Sequence, residues 1–259
     1  MDKVALSLDT ESEELSRAYD RFNAVLMVQR ASIIAFEMLP ASPVAAQLVS
    51  AALRIRAGVE PALTGQLADN EAEAMLESML EEQKRGYEVI RGAALTAACG
   101  AFEYLVQAAF VSQAAADPGE AAKRFADSKI KLLASDVLGT SEREQWYAIA
   151  DELFEHAGKT HKSMCKRVEN YLIGYTYLFE PEKDAARIRR DFEALDGRSF
   201  DEAFLVRNCL VHNGGRVSSQ LAKHSGRLMG QPIEFDKAML GRLLKPIRDI
   251  AGLLNGLWI

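Results

Sequence analysis

The sequence predicts an all-α protein, a helical bundle with an additional N-terminal helical segment. Apolar residues recur at helical spacing along most of the 259 residues, and no alternating pattern long enough for a strand appears. Glycine, proline and aspartate separate the periodic segments. Hydrophobic residues make up 49% and charged residues 26% of the chain, a balance that excludes a largely disordered protein.

The N-terminal part predicts a helical arm over residues 1–65. A first helix is expected over residues 12–39 and a shorter one over 43–56. Residues 58–65 combine glycine, proline and a loss of periodicity, which predicts a linker. A larger helical domain is therefore expected over residues 66–259. The arm shows no recognisable chemistry, and its acidic helices would serve in dimerisation, in packing or in binding a partner.

The first part of the larger domain predicts four helices separated by glycine and proline. They are expected over residues 70–116, 120–138, 141–178 and 181–195. The stretch 93–111 is apolar on most faces, as in a helix buried inside a bundle. An interruption of the third helix is expected near Gly158.

A short helix near the C-terminus carries the most informative residues. Ser199-Phe200-Asp201-Glu202 matches a capping box, which predicts that the helix begins there. Asn213-Gly214-Gly215 predicts that it ends at His212, because glycine readily adopts the left-handed conformation that stops a helix.

The remaining C-terminal sequence predicts a loop and a last helix. Residues 216–234 are expected to be a loop with short extended pieces. Asp236 is expected to cap a helix that runs to residue 257 and keeps one apolar face. Pro246 lies inside this helix and predicts a kink.

Charge is unevenly distributed along this acidic chain. The net charge of −6 counts against a nucleic-acid partner, but residues 1–82 alone hold 14 acidic and 6 basic side chains. Between residues 203 and 233 there are four basic residues and no acidic ones. A modest basic surface is therefore compatible with the overall acidity.

Cysteine usage and the N-terminal sequence favour the cytoplasm. The three cysteines are odd in number and widely spaced, which argues against a disulfide framework. The N-terminus lacks the basic start and apolar run of a signal peptide. No uninterrupted apolar stretch is long enough for a membrane span, so no membrane partner is expected.

Arg207, Asn208 and His212 combine groups that suit chemistry on a phosphate. Asn208 and His212 are four residues apart and share one helix face, and the long Arg207 side chain reaches the same side. Arginine binds phosphate in a fork, and histidine takes or gives a proton near neutral pH. Spacing alone is also common among ordinary surface residues at helix ends.

The segment Arg207-Asn208-x-x-Val-His212-Asn-Gly-Gly resembles the motif of the HEPN superfamily, in which a His follows an Arg by four to six residues. Residues 97–105, with Glu103 among small and aromatic side chains, look like the early HEPN helix. The resemblance covers about residues 75–259, and only the short motif is specific. It implies a HEPN-like helical bundle.

The resemblance also implies an activity. Catalytic HEPN proteins are dimers whose motif helices form one composite cleft that cleaves RNA without a metal or another cofactor. The expected products carry a 2′,3′-cyclic phosphate and a 5′-hydroxyl. A toxin or phage-defence role, with an antitoxin or regulatory protein as partner, is a family association. Gly214 stands where several toxin members carry a tyrosine, so control by modification of that tyrosine is not implied.

Roles for individual residues follow from the resemblance. His212 would act as general base or acid on a ribose 2′-hydroxyl, and Arg207 would stabilise the phosphoryl oxygens. Asn208 would orient the histidine or contact the phosphate. Glu103 would hold Arg207 in place or be an ordinary surface carboxylate. Three basic residues are expected to bind RNA: Arg216, Lys223 and Arg227.

Two other interpretations stay open. The motif also fits a non-catalytic HEPN-like module that dimerises or binds a partner, and an unrelated bundle in which the motif is coincidental. His156, His161 and Cys165 fall on one predicted helix, but no second pair of metal ligands accompanies them. A solvated basic face is favoured there, with an auxiliary RNA contact as the alternative, and no metal site is expected. Cys209 is interpreted as a small buried residue.

Overall fold

All regular structure in the described part of the chain is α-helical. The structure is a computed structural model. It describes residues 2–38, 74, 77–78, 81, 88–128, 130, 141–159, 163–176 and 181–258. Within these ranges the only strand-like feature is one antiparallel bridge between Arg216 and Pro232. The prediction of an all-α fold is confirmed.

Nine helices are found in these ranges. They are α1 (Asp2–Met38), α2 (Glu88–Ala116), α3 (Pro118–Asp127), α4 (Glu142–Lys159), α5 (Met164–Tyr175), α6 (Pro181–Glu193), α7 (Gly197–His212), α8 (Ser219–Ser225) and α9 (Lys237–Trp258). The short helix predicted over 43–56, the linker over 58–65 and its boundary at residue 65 lie outside the described residues.

The chain divides into two compact units. The first comprises residues 1–25, 95–233 and 241–259, and the second comprises residues 26–94 and 234–240. The N-terminal end of α1 therefore belongs to the same unit as the motif helix α7. Within the second unit, the backbone N–H of Phe235 donates to the Glu88 carboxylate at 3.4 Å.

Side-chain caps begin several helices where the sequence changes its pattern. Asp117 accepts a hydrogen bond from the backbone of Glu120, which confirms the break before α3. Ser163 caps α5 in the same way, after an interruption that follows Lys159. The predicted break near Gly158 is therefore confirmed. Helix breaks depend on neighbouring residues, which explains why the sequence predicted these two breaks without assigning their capping side chains.

The predicted start of the motif helix is wrong. The helix α7 begins at Gly197, and the Asp196 carboxylate accepts from the backbone N–H of Ser199 at 3.0 Å. Ser199 lies inside the first turn of α7 and both oxygens of Glu202 bind Arg242, so the predicted capping box does not form. The Glu202 carboxylate, which the capping box required, instead forms an ion pair with Arg242 of α9. The predicted end at His212 is confirmed, and Gly214 and Gly215 follow with positive φ.

The segment predicted as a loop over residues 216–234 contains the short helix α8. Ser218 caps it through the backbone of Leu221, and Gly226 ends it in the left-handed conformation. Leu221 is fully buried, and this burial helps to stabilise a helix that is too short to be stable alone. Asp236 caps α9 through Met239, as predicted, and Pro246 lies inside that helix.

A cluster of phenylalanines holds the first unit together. Phe102 of α2 is fully buried and makes edge-to-face contacts with Phe22 of α1 at 6.4 Å. Its ring also meets Phe200 and Phe204 of α7, at 5.4 and 6.2 Å between centroids. The cluster therefore joins three helices at one point and sets the position of α7 against α2.

The helix α2 is apolar enough to pass a membrane-span criterion on length and composition. The prediction from uninterrupted apolar runs did not anticipate this. In its most apolar window, 61% is buried inside the protein. Core helices of folded proteins show the same composition, so this observation is weak evidence for a membrane segment.

We expect Phe102→Ala to lower the free energy of unfolding by about 3–5 kcal/mol, because it leaves a cavity beneath three packed rings. Urea denaturation followed by circular dichroism measures the change. Met27→Ala, at a side chain that is 72% exposed, is the control and should change stability little. Equal effects of the two substitutions would contradict the central position of Phe102.

Candidate functional site

A polar cleft opens beside the motif helix, within the first unit. Its volume is about 640 Å³. It is lined by residues of α2, α4, α5, α7, α8 and the turn before α5: Glu103, Glu155, Gly158, Ser163, Met164, Arg167, Asp201, Phe204, Leu205, Arg207, Asn208, Gln220, Lys223 and His224. Only two of the three predicted catalytic residues, Arg207 and Asn208, are among them.

Arg207 is held at the cleft by two side chains. Its guanidinium lies 3.5 Å from the Glu103 carboxylate and donates to the Asn208 amide oxygen at 3.1 Å. Arg207 and Glu103 are each about one-quarter exposed. The Nε atom of Arg207 is buried and has no hydrogen-bond partner among the described residues. An unsatisfied buried N–H is costly, so the position of Arg207 is held by its contacts with Glu103 and Asn208.

Glu103 occupies an unusual electrostatic position. Burial raises the pKa of its carboxyl above the ordinary value of 4.5, and the Arg207 guanidinium opposes that shift only in part. Glu155 and Asp151 raise the pKa further, while Arg167 lowers it. Glu103 is thus the partner of Arg207 and not a freely solvated carboxylate.

Arg167 contributes to the cleft in a way the sequence did not indicate. Its guanidinium stacks over the Phe154 ring at 4.0 Å, and its Nε donates to the Phe154 carbonyl at 2.8 Å. It also pairs with Glu155. Only 17% of the Arg167 side chain is exposed, so the interpretation as a solvated basic face is wrong for this residue. The sequence shows four basic residues around positions 159–167 but cannot tell which one turns inward.

Asp201 links the motif helix to the start of α5. Its carboxylate accepts from the backbone N–H of Cys165 at 2.8 Å, next to the Ser163 cap. The carboxylate therefore satisfies a helix N-terminus and favours a fixed distance between α5 and α7. From its neighbours in the sequence, Asp201 is predicted only as part of a capping box, since its partner Cys165 lies far away along the chain.

The helix α8 supplies the other side of the cleft. Lys223 is exposed there, and the imidazole of His224 interacts with the Arg198 carbonyl at 2.9 Å. Three cationic side chains line the cleft: Arg167, Arg207 and Lys223. Three carboxylates line it as well: Glu103, Glu155 and Asp201. The charges in the lining are balanced, so the cleft is polar without being strongly basic.

Three predicted residues lie outside this cleft. His212 is exposed in the last turn of α7, one helical turn beyond Asn208, beside the half-exposed Val211. Arg216 is exposed and donates to the Gly230 carbonyl at 3.0 Å. Arg227 lies 3.7 Å from Glu202 and lines a different pocket. The predicted RNA-binding residues are therefore divided between separate surfaces.

Metal and thiol chemistry find no support at the described residues. No group of three or more His, Cys, Asp or Glu side chains is placed to hold a metal ion there. His156 contacts the Tyr175 hydroxyl at 2.7 Å, and His161 lies outside the described residues. Burial raises the pKa of the Cys165 thiol to about 11, which disfavours the thiolate. Cys209 is fully buried, as predicted.

No protein-family model, curated protein or solved structure matches this chain.

The raised pKa of Glu103 predicts a pH-dependent stability. As pH rises above 4.5, Glu103 ionises first in the unfolded chain, so the native protein loses stability until the pH passes the higher folded pKa. Glu103→Gln cannot ionise and lacks this contribution. We expect the unfolding free energy of the variant, minus that of the native protein, to grow as pH rises from about 4 to 7. Urea titrations across that range test this, and a difference that stays constant or shrinks would contradict it.

Proposed function

We propose that this protein is a metal-independent endoribonuclease of the HEPN type, with Arg207, Asn208 and His212 as its catalytic residues. The observation that carries the proposal is the state of Arg207. It lines a polar cleft, is held by Glu103 and Asn208, and has a buried Nε that lacks a partner among the described residues. A phosphate oxygen would pair with the part of the guanidinium that is exposed at the cleft, since about one-quarter of the Arg207 side chain is exposed.

The proposed reaction needs proton transfers at two oxygens. One histidine takes the proton of the ribose 2′-hydroxyl, the 2′-oxygen bonds to phosphorus, and the bond from phosphorus to the 5′-oxygen breaks. A second proton donor protonates the departing 5′-oxygen. The products are a 2′,3′-cyclic phosphate and a 5′-hydroxyl. Arg207 stabilises the negative charge on the phosphoryl oxygens in the transition state.

Two copies of the chain are proposed to form the complete site. His212 is exposed on α7 outside the cleft that Arg207 lines, so one chain does not enclose all the proposed groups. A homodimer that apposes two α7 helices would place two Arg207 and two His212 side chains around one RNA strand. One histidine then acts as base and the other as acid. A toxin or defence setting in the cytoplasm remains part of this proposal.

A second candidate is a non-catalytic HEPN-like module that dimerises or binds a protein partner. The observation that favours it is the charge balance of the cleft, where Glu103 pairs with Arg207 and three carboxylates accompany three cations. A surface that grips an RNA backbone usually carries an excess of positive charge. Under this alternative the same helix face would bind a partner without cleaving RNA.

The test of catalysis is cleavage of a mixed-sequence RNA in EDTA. We expect Arg207→Ala and His212→Ala each to lower the cleavage rate by about 10²–10⁴-fold, since each removes one group that acts in the transition state. Arg190→Ala is the control, because its side chain is 75% exposed on α6, away from the cleft. A His212→Ala variant that cleaves as fast as the native protein would refute the mechanism.

Oligomeric state separates the two candidates. Sedimentation velocity should give a dimer for the native protein and for both alanine variants. A dimer that cleaves no RNA in EDTA would favour the non-catalytic module. A monomer that still cleaves RNA would overturn the composite site, because one chain alone would then suffice.

A further inference from the structure

A second pocket lies at the start of α7, within the first unit. Its volume is about 300 Å³. Six residues line it, and we call it the arginine pocket: Arg198, Ser199, Glu202, Ser225, Arg227 and Arg242. They come from the first turns of α7, the end of α8, the loop after it and α9. None of the proposed catalytic residues is among them.

Glu202 organises two of the arginines. Its carboxylate is buried and receives two hydrogen bonds from Arg242, at 2.7 and 2.9 Å, in a bidentate fork. Arg227 approaches the same carboxylate at 3.7 Å. The hydrogen bonds from Arg242 lower the pKa of Glu202, so the carboxylate stays ionised and holds both guanidinium groups at the pocket.

Arg198 brings a third guanidinium. It donates to the backbone carbonyl of His224 at 3.2 Å, which ties the start of α7 to the end of α8. Arg198, Arg227 and Arg242 thus line the pocket with one carboxylate, and the Asp196 carboxylate lies close enough to interact with the charge of Arg242. Arg227 is 29% and Arg242 is 44% exposed, so both guanidinium groups can be reached from solvent.

The lining hydroxyls are already engaged. Ser225 donates to the Leu221 carbonyl at 2.8 Å, so its hydroxyl proton is not available for a ligand. Ser199 accepts from Arg242 at 3.4 Å and also interacts with Asp196, whose carboxylate caps α7. The guanidinium groups therefore make the contacts that recognise a ligand in this pocket.

We propose that the arginine pocket binds a phosphate group. Guanidinium forks match the geometry of phosphate oxygens, and a phosphate monoester carries close to two negative charges at neutral pH. A dianionic phosphate suits a lining with three guanidinium groups and one carboxylate better than a singly charged carboxylate ligand does. The site is independent of the proposed ribonuclease activity, because it contains neither Arg207 nor His212.

Isothermal titration calorimetry with inorganic phosphate tests the pocket. We expect saturable binding to the native protein, weakened about tenfold by Arg198→Gln and by Arg227→Gln, since each removes a charge-assisted contact. Arg190→Gln is the matched control and should leave the affinity unchanged, because it removes the same group from an exposed site. Absence of saturable binding to the native protein overturns the proposal, as does equal weakening by the control.

Glu202→Gln gives a test of opposite sign. The Gln amide oxygen still accepts from Arg242 and keeps it at the pocket, while the loss of the negative charge makes the lining more positive, so phosphate should bind about tenfold more tightly. If the arginines only neutralise Glu202, the variant gains no affinity, and that result overturns the proposal. Circular dichroism checks that the variant folds. If it does not fold, the Arg198 and Arg227 variants still decide the question.

Two further probes distinguish an RNA end from free phosphate as the ligand of the arginine pocket. One is a 2′-O-methyl oligoribonucleotide with a 5′-phosphate, which lacks the 2′-hydroxyl needed for cleavage, and the other is the same strand with a 5′-hydroxyl. Tighter binding of the phosphorylated strand, lost in Arg227→Gln, assigns the pocket to an RNA end. Binding of inorganic phosphate without that preference assigns it to a free phosphate.

Discussion

The packing of Phe102 against Phe200 and Phe204 is the contact on which the rest of the site depends. Burying these rings removes a large apolar surface from water and sets the position of α7 against α2. Glu103 directly follows Phe102, and Arg207 lies one helical turn beyond Phe204. The ion pair at the cleft is therefore located by the apolar core beneath it.

Polar contacts then fix α7 along its length. Asp196 caps its start, Asp201 reaches the N-terminus of α5, and Glu202 binds Arg242 of α9. Asp196 stabilises the start of α7 itself, whereas Asp201 and Glu202 tie its first turns to α5 and to α9. This arrangement leaves the last turn, with His212, exposed. The same helix thus has an anchored end beside the arginine pocket and an open end that carries the proposed general base.

The two pockets share the helices α7 and α8 but differ in electrostatics. In the larger cleft the lining cations and carboxylates are equal in number, whereas three arginines and one carboxylate line the arginine pocket. The reciprocal contacts between Arg198 and His224 connect the two, since His224 lines the cleft and Arg198 lines the pocket. A basic surface therefore exists on this acidic chain, although it lies at the opposite end of α7 from His212.

The sequence by itself determined the helical class, most helix ends and the presence of Arg207, Asn208 and His212 on one short helix. These features depend on neighbours within four residues, through periodicity, caps and glycine stops. Tertiary structure alone decided the partners of the acidic residues and the inward turn of Arg167. Glu202 shows the reason: its local sequence fits a capping box, but a bidentate contact with a distant arginine is stronger. Tertiary structure also placed the predicted RNA-binding residues on different surfaces, because burial, and not their order along the chain, decides the surface on which each one lies.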